Sequence, residues 1–166
     1  MALTRFWLIG WLTINTKRFI DQDFLGAYKW LSHKMDERVN GRIPSCSWPI
    51  WGWYQYSNSK EKMPDLRRSW HLPTGTHGIR LCLELPFENL LLSDFNHWHE
   101  VLNASANNEY DFNNPIPTKI DKRWKKKILL NKDDLQKRRV KNRAIQATFW
   151  QIKIDQVIKK QEFIAR

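Results

Sequence analysis

Cysteine is scarce: Cys46 and Cys82 are the only two in 166 residues. A single pair cannot build the disulfide framework of a small secreted domain, and their separation is not that of a zinc site. The expectation is a reduced, intracellular protein with two idle thiols. Long apolar runs are missing as well. The most apolar stretch, residues 6–14, spans nine residues with one arginine before it, against the ~20 that cross a bilayer. Asn15-Thr16-Lys17-Arg18 follows, which is a poor cleavage site for a signal peptide. These features predict a buried strand or helix turn near the start, no membrane partner and a cytoplasmic location.

Several reaction classes lose their signatures in the same way. There is no Gly-x-Gly-x-x-Gly and no Gly-x-x-x-x-Gly-Lys-Ser/Thr, so a Rossmann or P-loop nucleotide enzyme is excluded. No serine stands in a Gly-x-Ser-x-Gly elbow, and neither cysteine has an obvious base. There is no His-Glu-x-x-His. His97 and His99 stand two apart on a predicted helix, which turns them to different faces, so no metal site is expected.

Acidic residues are the scarcer charge. Seventeen aspartates and glutamates face 28 lysines and arginines, a net +11. That excess biases partners toward nucleic acid or an acidic protein surface. It is concentrated: residues 119–143 hold twelve cations and three acids, a local net of +9. Lys122, Arg123, Lys125, Lys126, Lys127, Arg138 and Arg139 could neutralise phosphates, and Trp124 among them could stack on an unpaired base. A solvated helix face or a poorly ordered loop is the plainer explanation of such a run.

What the chain has in excess is tryptophan, ten in all. With 42% hydrophobic and 27% charged residues it can bury a core without staples. Residues 21–39 predict a helix, with Phe24, Tyr28, Leu31, Met35 and Val39 on one stripe and Asp21 or Asp23 as cap. Residues 50–56 predict an aromatic strand. Trp51, Trp53 and Gln55 point one way; Ile50, Gly52, Tyr54 and Tyr56 point the other. Residues 78–85 predict a half-buried strand, and Ser93-Asp94 caps a short helix over 95–102. Residues 103–117 predict a loop, 145–154 and 159–164 two further strands, with a turn or short helical step over 155–158 between them. Strands and helices do not alternate, so the expected class is α+β: one domain over 1–166, a small mixed or antiparallel sheet with a few helices, and a basic excursion at 104–143.

At several of these places the chain resembles a bacterial family catalogued as domain of unknown function 3841. The residues that carry the resemblance are Asp23-Phe24-Leu25-Gly26-Ala27-Tyr28-Lys29-Trp30, Trp48-Pro49-Ile50-Trp51-Gly52-Trp53-Tyr54-Gln55 and Pro64-Asp65-Leu66-Arg67. They continue in Leu92-Ser93-Asp94-Phe95, Trp98-His99, Val101-Leu102-Asn103 and Ile145-Gln146-Ala147-Thr148-Phe149-Trp150. The similarity spans roughly 10–103 and 144–166 and implies no assigned function. The first strand looks shortened or replaced relative to the family.

A second likeness, at the level of fold, is to DNA-modifying ADP-ribosyltransferase toxins. It implies an NAD-binding enzyme that modifies a nucleic acid or an associated target, in a toxin or anti-phage role. Trp53 and Tyr54, with Gln55 beside them, would stack the nicotinamide, and Arg67 would hold the phosphates. Gln146 falls where those proteins carry a glutamate on a late strand, and Asp65 or Asp94 would supply the carboxylate. The competing expectation is a non-enzymatic basic module that docks on RNA, DNA or an acidic protein.

Overall fold

The computed structural model describes residues 3–9, 21–42, 48–58, 60, 63, 65 and 72–166, with backbone alone at 3–9, 138 and 139. Seven strands form one antiparallel sheet: β1 (Leu3–Ile9), β2 (Ile50–Gln55), β3 (His77–Pro86), β4 (Leu91–Asp94), β5 (Leu129–Leu130), β6 (Ile145–Phe149) and β7 (Val157–Ile164). Their spatial order is β5-β4-β6-β2-β1-β3-β7. Among the described residues three helices accompany the sheet: α1 (Leu25–Asp36), α2 (Phe95–Ala106) and α3 (Thr118–Ile128). The class is α+β, as expected.

The alternation of side chains across the sheet divides the core in two. On one face Trp51 and Leu91 meet Trp30, Leu31 and Met35 of α1, Trp98 and Val101 of α2, and Trp124 and Ile128 of α3. On the other face Leu83, Leu85, Leu92, Ile145, Ala147 and Phe149 pack together with Val140 and the half-buried Tyr54. Both faces are thus covered near β4 and β6. This is why β4, Leu91–Asp94, is buried at all four positions. It shows no polar alternation, so nothing in the sequence marks it as a strand.

The predicted helix over 21–39 is shorter in fact. A single 3-10 turn, Gln22–Phe24, is capped by Asp21, whose side chain accepts from the Asp23 amide. Then α1 runs to Asp36. Asp94 caps α2 by accepting from the His97 amide at 3.1 Å, and α2 extends to Ala106, past the expected end at 102. The expected loop over 103–117 therefore begins inside a helix.

The basic excursion takes a definite form. Residues 118–143 are mostly structured and lie on the core. Ile120, Trp124 and Ile128 recur every four residues along α3, and Trp124 and Ile128 are buried. That is an apolar stripe beneath a cationic surface. Two 3-10 turns, Asp134–Gln136 and Arg138–Asn142, lead back to β6. Among the described residues no helix is long and apolar enough to cross a membrane.

Candidate functional site

Strand pairing brings part of the expected constellation together. Trp53 on β2 lies directly opposite Gln146 on β6, and Gln146 lies opposite Ser93 on β4. Directly opposed residues share a face, so Ser93, Gln146 and Trp53 form a row on the helix side. The Trp53 ring meets Phe95 edge-on at 5.0 Å and Tyr56 at 5.1 Å. Tyr56 reaches this side because the β2–β6 register shifts between Trp53 and Gln55, so it does not point with Tyr54 as expected. The Ser93 hydroxyl and the Gln146 Oε1 are buried and have no hydrogen-bond partner among the described residues. Buried oxygens without donors cost about 1–3 kcal/mol each.

Other residues expected at this place are turned away or engaged. Tyr54 packs into the opposite core, where burial raises its hydroxyl above the ordinary value of 10. One flat ligand cannot lie against both Trp53 and Tyr54 through the sheet. Gln55 is buried, and its Nε2 donates to the carbonyls of Val140 at 2.9 Å, Arg143 at 2.6 Å and Lys141 at 3.3 Å. Asp94 is buried, and its Oδ2 accepts from Arg143 Nη1 at 2.6 Å. Gln55 and Asp94 thus fasten the end of the basic segment to the sheet. Asp65 is half-buried, and Arg67 lies outside the described residues.

The cationic residues form a second site. Along α3 the charges divide by partner. Lys125 reaches Glu37 at 3.1 Å and Asp121 at 3.2 Å. Lys34, almost wholly buried, reaches the same two carboxylates at 3.1 Å each. Asp121 also accepts from Trp30 Nε1 at 2.8 Å. Burial alone would raise the Asp121 carboxyl, but the hydrogen bonds from Trp30, Lys34 and Lys125 outweigh it and hold it below its ordinary value. The same opposition, won by Lys34 and Lys125, lowers Glu37. Lys127 is held by Glu100 at 2.9 Å and Lys137 by Asp134 at 2.6 Å.

Lys119, Lys122, Arg123 and Lys126 remain exposed on α3, and Arg38 is exposed just past α1; among the described residues none has an ion-pair partner. Arg38, Lys122 and Lys126 line an open groove of about 390 Å³ together with Lys125, Leu129 and Asp134. Arg38 was missed from sequence because only the packing of α1 beside α3 brings it there. Trp124 needs correction. It is 1% exposed, edge-on to Trp30 and Tyr110 and stacked on Phe112. Its ring is spent on the core and cannot stack on a base while α3 stays docked. Arg138 and Arg139 have their backbone in the second 3-10 turn, and their side chains lie outside the described residues.

His97 Nδ1 stands 3.5 Å from Glu100, and His99 Nδ1 lies 2.9 Å from the Phe95 carbonyl. No cluster of three or more potential metal ligands occurs among the described residues.

No curated protein and no solved structure matches the chain. A family profile described as a domain of unknown function, DUF3841, matches residues 10–114. The matched stretch carries α1, β2, β3, β4, α2 and Arg38, and it ends just before α3. A match over more than half of the length places the protein: this chain belongs to the DUF3841 family.

Proposed function

We propose that the chain binds a polyanion, the phosphate backbone of RNA or DNA, through the groove between the end of α1 and α3. The observation that carries this reading is the selective pairing of charge. Acids neutralise Lys34, Lys125, Lys127 and Lys137, while Arg38, Lys122 and Lys126 are left around one concave surface. Phosphates suit such a surface, because each contact releases a condensed counterion. With no exposed aromatic ring on α3, affinity comes from charge and is blind to base sequence.

The test is oligonucleotide affinity against salt. Three contacted phosphates predict a slope of log K on log salt of about −2.7 for duplex, roughly a 40-fold loss between 50 and 200 mM. A variant with Arg38, Lys122 and Lys126 all changed to alanine should flatten the slope to near zero. A response to polyglutamate equal to that for the oligonucleotide would favour an acidic protein partner instead. A flat salt response in the unaltered chain ends the proposal.

A second reading, an NAD-binding ADP-ribosyltransferase-like enzyme acting on a nucleic acid or associated target, is favoured by one observation. The unpartnered oxygens of Ser93 and Gln146 are buried in the same cross-strand row as Trp53, and ribose hydroxyls would donate to them once that row opens. Asp94 is committed to Arg143, so Asp65 would carry the carboxylate role. NAD titrated against tryptophan fluorescence tests it. A response that Gln146→Ala removes supports the reading, and no response ends it.

A further inference from the structure

β7 closes one end of the sheet, and among the described residues no strand lies on its outer side. Eight residues make a long open edge, which proteins usually shorten, bend or cover because it templates pairing with another chain. The strand carries Lys159, Lys160 and Glu162 in its middle and apolar residues toward its ends. Ile158 is 46% and Ile164 55% exposed, and Ile79 on neighbouring β3 is 46% exposed. Ile158 is bulged out between the positions paired with Cys82 and Leu83, and only 159–164 run in regular register.

We propose that β7 pairs antiparallel with β7 of a second copy of this chain, with Gln161 on the two-fold axis, so that two sheets become one. The residue pattern Val157-Ile158-Lys159-Lys160-Gln161-Glu162-Phe163-Ile164 carries the argument. An axis perpendicular to the sheet keeps the same face of both copies on the same side. Opposed residues must then be an even number of positions apart. Centring on Gln161 sets Lys160 against the partner's Glu162, twice by symmetry.

The neighbouring allowed registers fail on charge. Centring on Lys160 opposes that ammonium to its own copy. Centring on Glu162 opposes two carboxylates. Lys160 and Glu162 pair with each other at 2.9 Å within one chain and are 56% and 74% exposed, so across the axis they would exchange that partner for its copy. They lie on the face of Leu81 and Ile79, whose strand they flank.

Pairing of this kind closes at two copies. It consumes the long edge of each, and the opposite edge is the two-residue β5, too short to template a filament. α3 packs against β4 and β5 at that far end, so the cationic faces stay apart and do not oppose assembly.

Sedimentation velocity of the full chain from about 1 to about 100 μM tests the proposal across the range where a modest interface titrates. A monomer–dimer equilibrium is expected. Lys160→Glu and Glu162→Lys should each weaken it about tenfold or more, since each sets two like-charge pairs across the axis. The double exchange should restore it. Gln161→Cys should give a disulfide-linked dimer on oxidation, because a residue on the axis meets its copy at about 4.5–5.5 Å between Cα atoms, and Lys159→Cys should not. A chain that stays monomeric at about 100 μM, or a dimer that both single reversals leave intact, overturns the proposal. So does failure of the double exchange to restore what the single reversals weaken.

Discussion

Arg143 and Asp94 are joined by a 2.6 Å ion pair between the last cation of the basic segment and a carboxylate that also caps α2. The two partners are unequal: the Asp94 side chain is 2% exposed and the Arg143 side chain 30%. Removing the arginine strands a buried charge, whereas removing the acid's charge leaves a cation that water can reach. Arg143→Ala should therefore cost about 3 kcal/mol, within the usual range for breaking a buried pair from one side. Asp94→Asn keeps a capping oxygen and should cost about 1 kcal/mol. Urea unfolding of both variants measures the asymmetry. Equal losses would mean that Arg143 contributes packing rather than charge.

The same pair shows what was legible in the sequence. Ser93-Asp94 could be read as a cap because Asp at that position has a local chemistry. Arg143, 49 residues away, has no local mark, since its role depends on the tertiary return of the chain into β6. The α1 stripe was readable for the same reason as the cap, its period being local. In α3 the period of Ile120, Trp124 and Ile128 was equally present, but the density of lysine drew attention to the charged face and hid the buried one. The alternation along β2 already turned Tyr54 away from Trp53. The register shift that brings Tyr56 back to the Trp53 side had no signal, because bulges arise from pairing.

The cluster of Lys34, Glu37, Asp121 and Lys125 sets a pH dependence. Asp121 and Glu37 are lowered from ordinary values of 3.8 and 4.5. A carboxyl depressed by folding binds fewer protons in the native state, so its stabilisation is complete above the unfolded value and is lost as pH falls through the folded one. Stability should decline below about pH 4 as these groups protonate. Lys125 is raised from 10.5, because Glu37 and Asp121 outweigh the opposing effect of burial. Its contribution is complete below that value and is lost as pH rises through the raised one. Urea midpoints followed with pH should show both limbs, and Asp121→Asn should flatten both. An acid limb unchanged in Asp121→Asn would assign it to other carboxylates.

Gly26 lies in the first turn of α1 against the segment that follows α2. A Cβ there would stand 2.6 Å from Phe112 Cδ2, 2.7 Å from Cγ of the same ring and 2.8 Å from the Ser105 hydroxyl oxygen. Those ring atoms are near the root of the side chain and cannot swing aside. The ring is itself stacked on Trp124, with centroids 6.2 Å apart. Gly26→Ala should destabilise the fold by about 1–3 kcal/mol despite the better helix propensity of alanine. A stabilised variant in thermal or urea unfolding would show that the 110–113 segment yields easily.

Lys126 and Lys127 are adjacent on α3 but differ in role. Lys126 lines the groove and has no acid partner among the described residues. Lys127 is tied to both oxygens of Glu100, at 2.9 and 3.3 Å. The salt slope of nucleic-acid binding counts phosphates in contact, not net charge. Lys126→Ala should reduce that slope by about 1. Lys127→Ala removes the same charge yet should leave the slope nearly unchanged, with only a modest loss of affinity from the freed Glu100. Binding of one duplex oligonucleotide measured at several salt concentrations separates the two. Equal slope changes would mean that α3 acts as a diffuse cloud of charge and that the groove has no special part in binding.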